Sequence, residues 1–175
     1  MATNCALTSD YEFLCDVGAG GLKELYLIEL ENINTYTESS GTLTTITKGT
    51  SKVFRKYQLV QDTASAQEDI TGNIQNGSLF YGQKVSIVIN KQNTAVRNEI
   101  LLLAKNRLVI VTVDNNGTQR LYGRERGLRL NTGSAGSGTA WGDRNGYTLE
   151  FSGAERELAP FVNDAALATL QTPGS

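Results

Sequence analysis

The strongest structural signal in the sequence is a turn between two runs of β-forming residues. Residues 108–113 are aliphatic and β-branched, residues 114–117 read Asp-Asn-Asn-Gly, and a second run follows over 118–122. An Asn-Gly pair between such runs favours the tight turn of a β-hairpin, because both residues tolerate a positive φ. The sequence therefore predicts a hairpin over 108–122 and a fold built from paired strands.

Further short runs predict additional strands. Residues 147–151 alternate strictly, which places Tyr147, Leu149 and Phe151 on one face. Residues 22–31 fit a helix or a two-faced strand, and the strand is preferred because the other strands need partners. The remaining predicted strands cover 42–47, 53–60, 79–81, 85–89 and 128–130.

One amphipathic helix is predicted in mid-chain, over residues 94–106. Asn93 or Thr94 is suited to cap its first turn. Val96, Ile100, Leu103 and Ala104 recur at the helical period and form one apolar stripe, so we expect this stripe to pack on a sheet. The predicted fold class is mainly β with one amphipathic α-helix.

Composition narrows the possible functions. The chain has 175 residues, a net charge of −2 and no His, which excludes His-based triads, haem ligation by His and mixed Cys/His zinc sites. We expect one domain over 1–175, with an irregular lead-in over about 1–21 and a loose tail over about 163–175. No signal peptide or membrane-spanning segment is predicted, so Cys5 and Cys15 are expected as cytosolic thiols, with a disulfide left open.

No catalytic, cofactor-binding or metal-binding residues are predicted, and we expect the protein not to be an enzyme. The glycine-rich segment 18–23 lacks the spacing of a phosphate-binding loop. Glu68 and Asp69 are neighbours, so in a strand they face opposite sides and cannot share a site.

The only basic and aromatic cluster combines Tyr122 with nearby arginines. Strand alternation would place Arg120, Tyr122 and Arg124 on one face, with Arg126 and Arg129 beyond them. Nucleic-acid binding uses such residues, but the balanced net charge favours a subunit contact or a solvated face.

The order of segments resembles that of small virion proteins of tailed phages that infect Bacteroidetes, including crAss-like phages. The resemblance covers roughly residues 15–162 and is carried by GGLKELYLIELENI, FRKYQLVQDTAS, NGSLFYGQKVSIVINKQNTAVRNEILLLAKNRLVIVTVDNNG and GYTLEFSGAERELAPFV. Within these stretches the most specific parts are residues 97–99, 103–107 and 146–149. They are packing and turn features, not catalytic motifs.

This resemblance implies a tail-tube or tail-ring type fold, in which a β-sandwich or barrel is flanked by one helix. It implies a structural role as a subunit of homo-oligomeric, hexameric rings that form the DNA conduit of the tail. The implied partners are other copies of the chain and other tail proteins. Genomic DNA would pass through without sequence-specific binding. The implied location is the virion tail, assembled in the host cytoplasm, and no membrane is involved. The alternatives are a head–tail connector, stopper or baseplate-hub subunit and, from a different class, a ligand-binding β-sandwich.

Assembly residues are expected in polar segments that cannot be buried in the subunit's own core. The segments 38–52, 63–76 and 133–143 are predicted to be loops that become ordered only between subunits. The predicted interface residues, in these segments and in the basic cluster, are Thr44, Thr47, Lys52, Glu68, Asp69, Arg120, Tyr122, Arg124, Ser134, Ser137 and Trp141.

Overall fold

The computed structural model describes residues 18–73, 75 and 77–174. The question of a Cys5–Cys15 disulfide and most of the predicted lead-in lie outside these residues. Within the described part, the chain forms two sheets and one main helix, which confirms the predicted mainly β class.

The larger sheet has seven strands in the spatial order β2-β3-β11-β8-β7-β1-β4. All neighbouring pairs are antiparallel except β11 and β3. Its strands are β1 (Leu22–Glu29), β2 (Ile33–Ser39), β3 (Thr42–Lys48), β4 (Arg55–Gln58), β7 (Leu108–Asp114), β8 (Gln119–Tyr122) and β11 (Phe161–Val162), with a short 3-10 turn at Leu30–Asn32.

The smaller sheet has four antiparallel strands in the order β5-β6-β10-β9. They are β5 (Ser65–Asn73), β6 (Ser78–Asn90), β9 (Arg129–Gly136) and β10 (Gly146–Glu155). The runs 79–81 and 85–89 are thus one long strand, because the residues between them continue the ladder with β10.

The core has two layers, one on each face of the larger sheet. Between the sheets, Leu25 and Ile110 pack with Val85, Leu149 and other residues of the smaller sheet. On the far face, a second cluster includes Val109, Val111, Phe54 and Leu170. Strand β7 is buried on both faces for this reason, which explains why its sequence is continuously apolar.

The predicted hairpin over 108–122 is confirmed. Strands β7 and β8 pair, and Gly117 in the turn has a φ of 85°. The turn also binds the chain that precedes β1: the Asn115 side chain donates to the Gly20 carbonyl at 2.6 Å, and Asn116 exchanges hydrogen bonds with Ala19. Residues 19–21 are therefore held in place by the hairpin and are not a free lead-in.

The predicted helix is confirmed as α1 (Thr94–Lys105), capped by the Asn93 side chain, which accepts from the Val96 N–H at 2.8 Å. Its apolar stripe is narrower than predicted. Leu103 is buried and Ile100 is half-buried against the core, but Ala104 is exposed. The helix packs against β9, which is the strand at one edge of the smaller sheet.

The prediction of a loose C-terminal tail is wrong. Residues Asp164–Thr169 form a second helix, α2, and Ala166 and Leu170 are almost fully buried in the second core. Lys48 fixes the end of this helix: its ammonium donates to the carbonyls of Thr169, Leu170 and Thr172 at 2.5, 3.1 and 2.8 Å. In the sequence this segment appeared irregular because its residues are small and polar. In the structure the Asn163 side chain caps the helix by accepting from the Ala166 N–H.

The three predicted loops are largely strands. Segment 38–52 contains the end of β2 and all of β3, and most of segment 63–76 is β5. Residues 133–136 belong to β9, which leaves only 137–143 of the third segment as a loop. Strands β2, β5 and β9 lack the alternating apolar pattern because they lie at sheet edges, where one side of the ladder and one face meet water. Strand β3 lies between β2 and β11 and confirms the strand predicted over 42–47.

Candidate assembly surface

The smaller sheet has two free edges. Strand β5 pairs only with β6, and β9 pairs only with β10, so that within the described chain each carries one unpaired row of backbone groups. Both strands are long for edges, at nine and eight residues, and most of their residues are exposed. Neither strand contains proline. Such edges are templates for pairing with another strand.

The edges of the larger sheet are better protected against pairing with another strand than those of the smaller sheet. Strand β4 has four residues and carries Arg55 and Lys56, and Lys56 forms an ion pair with Glu24 on the neighbouring strand at 2.8 Å. Strand β2 has two register irregularities against β3, one near Asn34 and one between Thr37 and Glu38. Short charged strands and bulges both discourage edge pairing. The smaller sheet has less of this protection: its edge strands are longer and mostly exposed, with one register irregularity next to Asn131 on β9 and one inward-pointing charge, Glu68, on β5.

The outer face of the smaller sheet, which points away from the core, is polar and nearly neutral. Its Lys84 and Glu150 lie 3.4 Å apart as an ion pair, and Gln67 donates to Asp69 at 2.8 Å. Strand alternation relative to the core residues places here Gln67, Asp69, Lys84, Ser86, Val88, Thr132, Ser134, Thr148, Glu150 and Ser152. The same register places Arg129 here, opposite Ser152, and the Arg144 side chain reaches this face, where it donates to the Thr148 hydroxyl at 2.7 Å. The three cations Lys84, Arg129 and Arg144 are thus nearly balanced by Asp69 and Glu150.

A projecting hairpin extends β5 and β6 beyond the rest of the sheet. Strand β10 ends opposite Tyr81, so that the pairs Thr71–Phe80 and Gly72–Leu79 have no strand beside them in the described chain. Three large apolar side chains are exposed on it: Ile70, Leu79 and Phe80, at 65%, 57% and 43%. The register places Ile70 and Leu79 on one face of the hairpin and Phe80 on the other. Sequence analysis missed this group because the alternation there is weak.

The two sheets are tied together by a polar network around Glu68. Its side chain is only 7% exposed, and it accepts from the Gln83 amide at 3.1 Å and from the Ala159 N–H at 2.7 Å. The second carboxylate oxygen lies 3.3 Å from the Arg120 guanidinium. Gln83 in turn accepts from the Gly123 N–H at 2.8 Å. Glu68 is therefore an internal tie between β5, β6 and β8, and not a solvated surface charge.

Arg120 and Arg124 do not share a face, which corrects the prediction. Arg124 follows the end of β8 and lies on the side of β2, where it pairs with Glu38 and approaches the Tyr36 ring at 5.7 Å. The chain changes direction between the two arginines at Gly123, whose φ is 74°. A Cβ at that position would lie 2.7 Å from the Leu108 carbonyl, so that only glycine fits.

The turn that follows Gly123 is organised by a buried carboxylate. Glu155 is 4% exposed and accepts from the backbone N–H groups of Glu125 and Arg126 at 3.1 and 2.9 Å. Arg126 is thereby fixed through its backbone while its side chain stays at the surface. The predicted basic cluster is thus spread over the two ends of this turn and forms no continuous basic patch.

The buried tyrosines near these arginines are held neutral. Burial raises the pKa of the Tyr122 hydroxyl, and the nearby Glu68 carboxylate raises it further. Burial also raises the pKa of Tyr36. Tyr122 is 4% exposed and belongs to the core between the sheets. Its side chain also lines a cleft beside β5, and its role as an interface residue stays a prediction.

The loop between β9 and β10 presents the only tryptophan of the chain. Trp141 is fully exposed, and the loop around it is braced by Asp143, whose carboxylate accepts from the N–H groups of Thr139 and Ala140, both at 2.7 Å. These hydrogen bonds lower the pKa of Asp143. Gly138 allows the close approach with a φ of 73°. We call residues 137–145 the Trp141 loop.

A cleft of about 500 Å³ opens beside the free edge at β5. Its floor is the part of the larger sheet that the smaller sheet leaves uncovered, and β5 is the only strand of the smaller sheet that lines it. The residues that line the cleft include Leu22, Ala66, Asp114, Thr118, Arg120 and Phe161. The Arg120 guanidinium lies 4.8 Å from the centroid of the Phe161 ring.

The remaining predicted interface residues are at the surface but in different places. Asp69 and Ser134 lie on the two strands at the free edges, and Ser137 and Trp141 lie in the Trp141 loop. The other three, Thr44, Thr47 and Lys52, lie on or just after β3, away from both free edges. The structure therefore brings together only part of the predicted set.

No protein-family model, curated protein or solved structure matches this chain. In the part of the chain that the structure describes, no helix is long and apolar enough to cross a membrane. Among the same residues, no three acidic or cysteine side chains converge as metal ligands would.

Proposed function

We propose that this chain is a structural subunit of a phage tail, of the tail-tube or tail-ring type, that assembles into rings through the edges of its smaller sheet. The observation that carries the proposal is the contrast between the sheets: the edges of the larger one are short and charged or twice irregular, and the smaller one has two long, mostly exposed edges, β5 and β9. A monomer with such edges is prone to uncontrolled pairing, whereas a closed ring satisfies both edges at once.

The strand directions support a head-to-tail contact. The smaller sheet has four antiparallel strands, so β5 and β9 run in opposite directions. When β9 of one copy lies beside β5 of the next, the antiparallel alternation continues from subunit to subunit. The contact uses two different surfaces, and repeated contacts of that kind close into a ring when the rotation between copies allows it.

The outer face of the smaller sheet suits the wall of a DNA conduit. In a ring joined at β5 and β9, the smaller sheets form a continuous barrel, with the larger sheets on one side of it. The other side carries short polar residues, and its three cations, Lys84, Arg129 and Arg144, are nearly balanced by Asp69 and Glu150. DNA-binding surfaces are positively charged because they neutralise phosphates, so a wall of this composition lets DNA pass without holding it.

The proposal is tested by cross-linking cysteines placed on the two edges. In a variant with Cys5 and Cys15 replaced by Ser, Gln67→Cys on β5 is combined in turn with Thr132→Cys, Ser134→Cys and Gly136→Cys on β9. Residues directly opposite each other on paired strands bring their Cβ atoms within disulfide range. We expect one of these pairs to give, on oxidation, a ladder of covalent multimers that ends at a fixed ring number.

The matched control moves one cysteine to a protected edge, as Lys56→Cys on β4 with the same β9 partners. We expect no ladder from this control. Equal cross-linking from both edges, or a chain that remains monomeric at all concentrations, contradicts the proposal. Electron microscopy then separates a tube subunit, whose rings stack into tubes, from a connector, stopper or hub subunit, whose rings remain single.

A further inference from the structure

We infer that the Trp141 loop of each subunit docks into the cleft beside β5 of the next copy, where the indole lies against Arg120. This inference rests on the proposed pairing of β9 with β5, and it adds a specific side-chain anchor to that backbone contact. The occupant of the cleft is thus a second copy of this chain.

The Trp141 loop has the properties of a preformed anchor. Asp143 holds the backbone on either side of the indole through its hydrogen bonds to Thr139 and Ala140 and through its own N–H, which donates to the Ala140 carbonyl at 3.0 Å. The side chain at the tip is nevertheless completely exposed. A rigid loop loses little conformational entropy on binding, and tryptophan is among the residues that contribute most to the energy of protein interfaces.

The cleft has the size and the chemistry to receive an indole. Its volume of about 500 Å³ lies within the range of pockets that hold small organic molecules. Arg120 lines it, with 41% of its side chain exposed, and already stacks on the Phe161 ring. A guanidinium attracts the face of a tryptophan ring more strongly than that of other aromatic rings. One oxygen of the Asp114 carboxylate in the same cleft accepts from the N–H groups of Asn116 and Thr118 at 2.9 and 2.7 Å, and we assign the second oxygen as the acceptor for the indole N–H.

The position of both features in the smaller sheet favours contact between copies. The Trp141 loop follows the end of β9 at Gly136, which lies at the same end of the sheet as Gly146 and Asn90. The cleft lies at Ser65 and Ala66, the beginning of β5, which pairs with Ser86 toward that same end. The loop and the cleft are thus at one end of the sheet but on opposite edges. Pairing of β9 with the next β5 brings them toward each other.

The intrinsic fluorescence of the protein tests this directly, because Trp141 is its only tryptophan. Emission excited at the red edge, where tyrosine does not absorb, is measured over a concentration series in parallel with sedimentation. We expect the emission of the dilute subunit to be that of a solvated indole. On assembly it should shift to shorter wavelength and become protected from acrylamide quenching.

Two variants locate the contact. Trp141→Ala is expected to raise the concentration needed for assembly by at least about 30-fold, the effect of losing an interface hot spot. Thr118→Arg places a large cation on the cleft face of β8 and should weaken assembly and abolish the emission shift. Thr45→Arg makes the same change at an exposed position of β3. It should neither weaken assembly nor abolish the emission shift.

The outcomes separate the docking from the edge pairing. If the edge cysteines cross-link and the particles form while Trp141 stays quenchable, the docking inference is wrong and the edge pairing stands. If Trp141→Ala and Thr118→Arg assemble like the unmodified chain, the docking inference is also wrong. A chain that never assembles overturns both proposals.

Discussion

At the scale of single residues, Lys48 shows how one buried cation fixes the end of the chain. It is 4% exposed, its ammonium donates to three backbone carbonyls beyond α2, and burial lowers its pKa. Lys48→Met keeps the length of the side chain but leaves the three carbonyls without their donor. We expect a loss of about 1–3 kcal/mol in the free energy of unfolding, measured by urea denaturation.

The control for this prediction is Lys52→Met, because Lys52 is exposed and its side chain lies outside this contact. A surface change of this kind alters the free energy of unfolding by at most about 0.5 kcal/mol. Equal effects of the two substitutions would contradict the structural role assigned to Lys48. The same comparison explains why sequence analysis treated Lys48 as an exposed loop residue: nothing local distinguishes it from Lys52.

Asp143 gives a second prediction at this scale, concerning pH. Its pKa is lowered below 3.8 by hydrogen bonds from the Ala140 and Thr139 N–H groups. A lowered carboxyl pKa means that the ionised form braces the loop, so the brace is present above pH 3.8 and is lost as the pH falls through the lowered pKa. We expect the fluorescence anisotropy of Trp141 to decrease over that interval.

The matched variant is Asp143→Asn, which removes the charge at every pH. It should show the reduced anisotropy already at neutral pH and no further change on acidification. Circular dichroism recorded on the same samples verifies that the strands persist. An unmodified protein whose anisotropy is constant while its strands persist would show that Asp143 does not brace the loop.

At the scale of secondary-structure elements, helix α1 offers two adjacent leucines with opposite environments. Leu103 is 5% exposed and belongs to the core between the sheets, whereas Leu102 is 55% exposed. Leu103→Ala should lower the free energy of unfolding by about 2–5 kcal/mol, because it removes buried contacts and leaves a cavity. Leu102→Ala should change it by about 0.5 kcal/mol or less. Chemical denaturation of both variants checks the orientation of the helix.

The elements that sequence analysis predicted correctly are those whose pattern is set by the core. Strand β7, the turn at Gly117 and the helix α1 all show a strong local signal, and all three form as expected. The alternation of Tyr147, Leu149 and Phe151 likewise follows from their position in the core between the sheets. Burial of one face makes apolar residues recur at the period of the helix or strand. That recurrence is visible in the sequence without knowledge of the element that packs against the face.

The elements that were missed are those at the edges, where half of the ladder and one face are solvated. Strands β2 and β5 are rich in Thr, Ser, Asn and acidic residues, and they were therefore predicted as loops. The candidate surface was missed for the same reason. Strands β5 and β9 are edges because of the order of strands in the sheet. Pairing between residues distant in the sequence determines that order, so no local sequence pattern predicts it.

At the scale of the whole molecule, the projecting hairpin indicates how rings would stack. Its exposed residues Ile70, Leu79 and Phe80 lie at the end of the smaller sheet opposite the Trp141 loop. In a ring closed through β5 and β9, the strands cross from one rim to the other, so the hairpin extends beyond one rim. These apolar side chains, on both faces of the hairpin, would be covered by the next ring, since clustered exposed apolar side chains mark interaction sites.

The prediction is that the triple variant Ile70→Ser, Leu79→Ser, Phe80→Ser forms closed rings but not tubes. All three side chains are exposed in the subunit, so their loss should leave its free energy of unfolding nearly unchanged. Cross-linking through Gln67→Cys and its β9 partner should also persist, because closure depends on the edges. Electron microscopy and sedimentation of the variant distinguish single rings from stacks.

A matched variant, Leu101→Ser, Leu102→Ser, Leu158→Ser, removes three comparably exposed apolar side chains elsewhere and should still form tubes. Tubes of normal length from the hairpin variant, or their loss from both variants, would contradict the assignment of ring stacking to this hairpin.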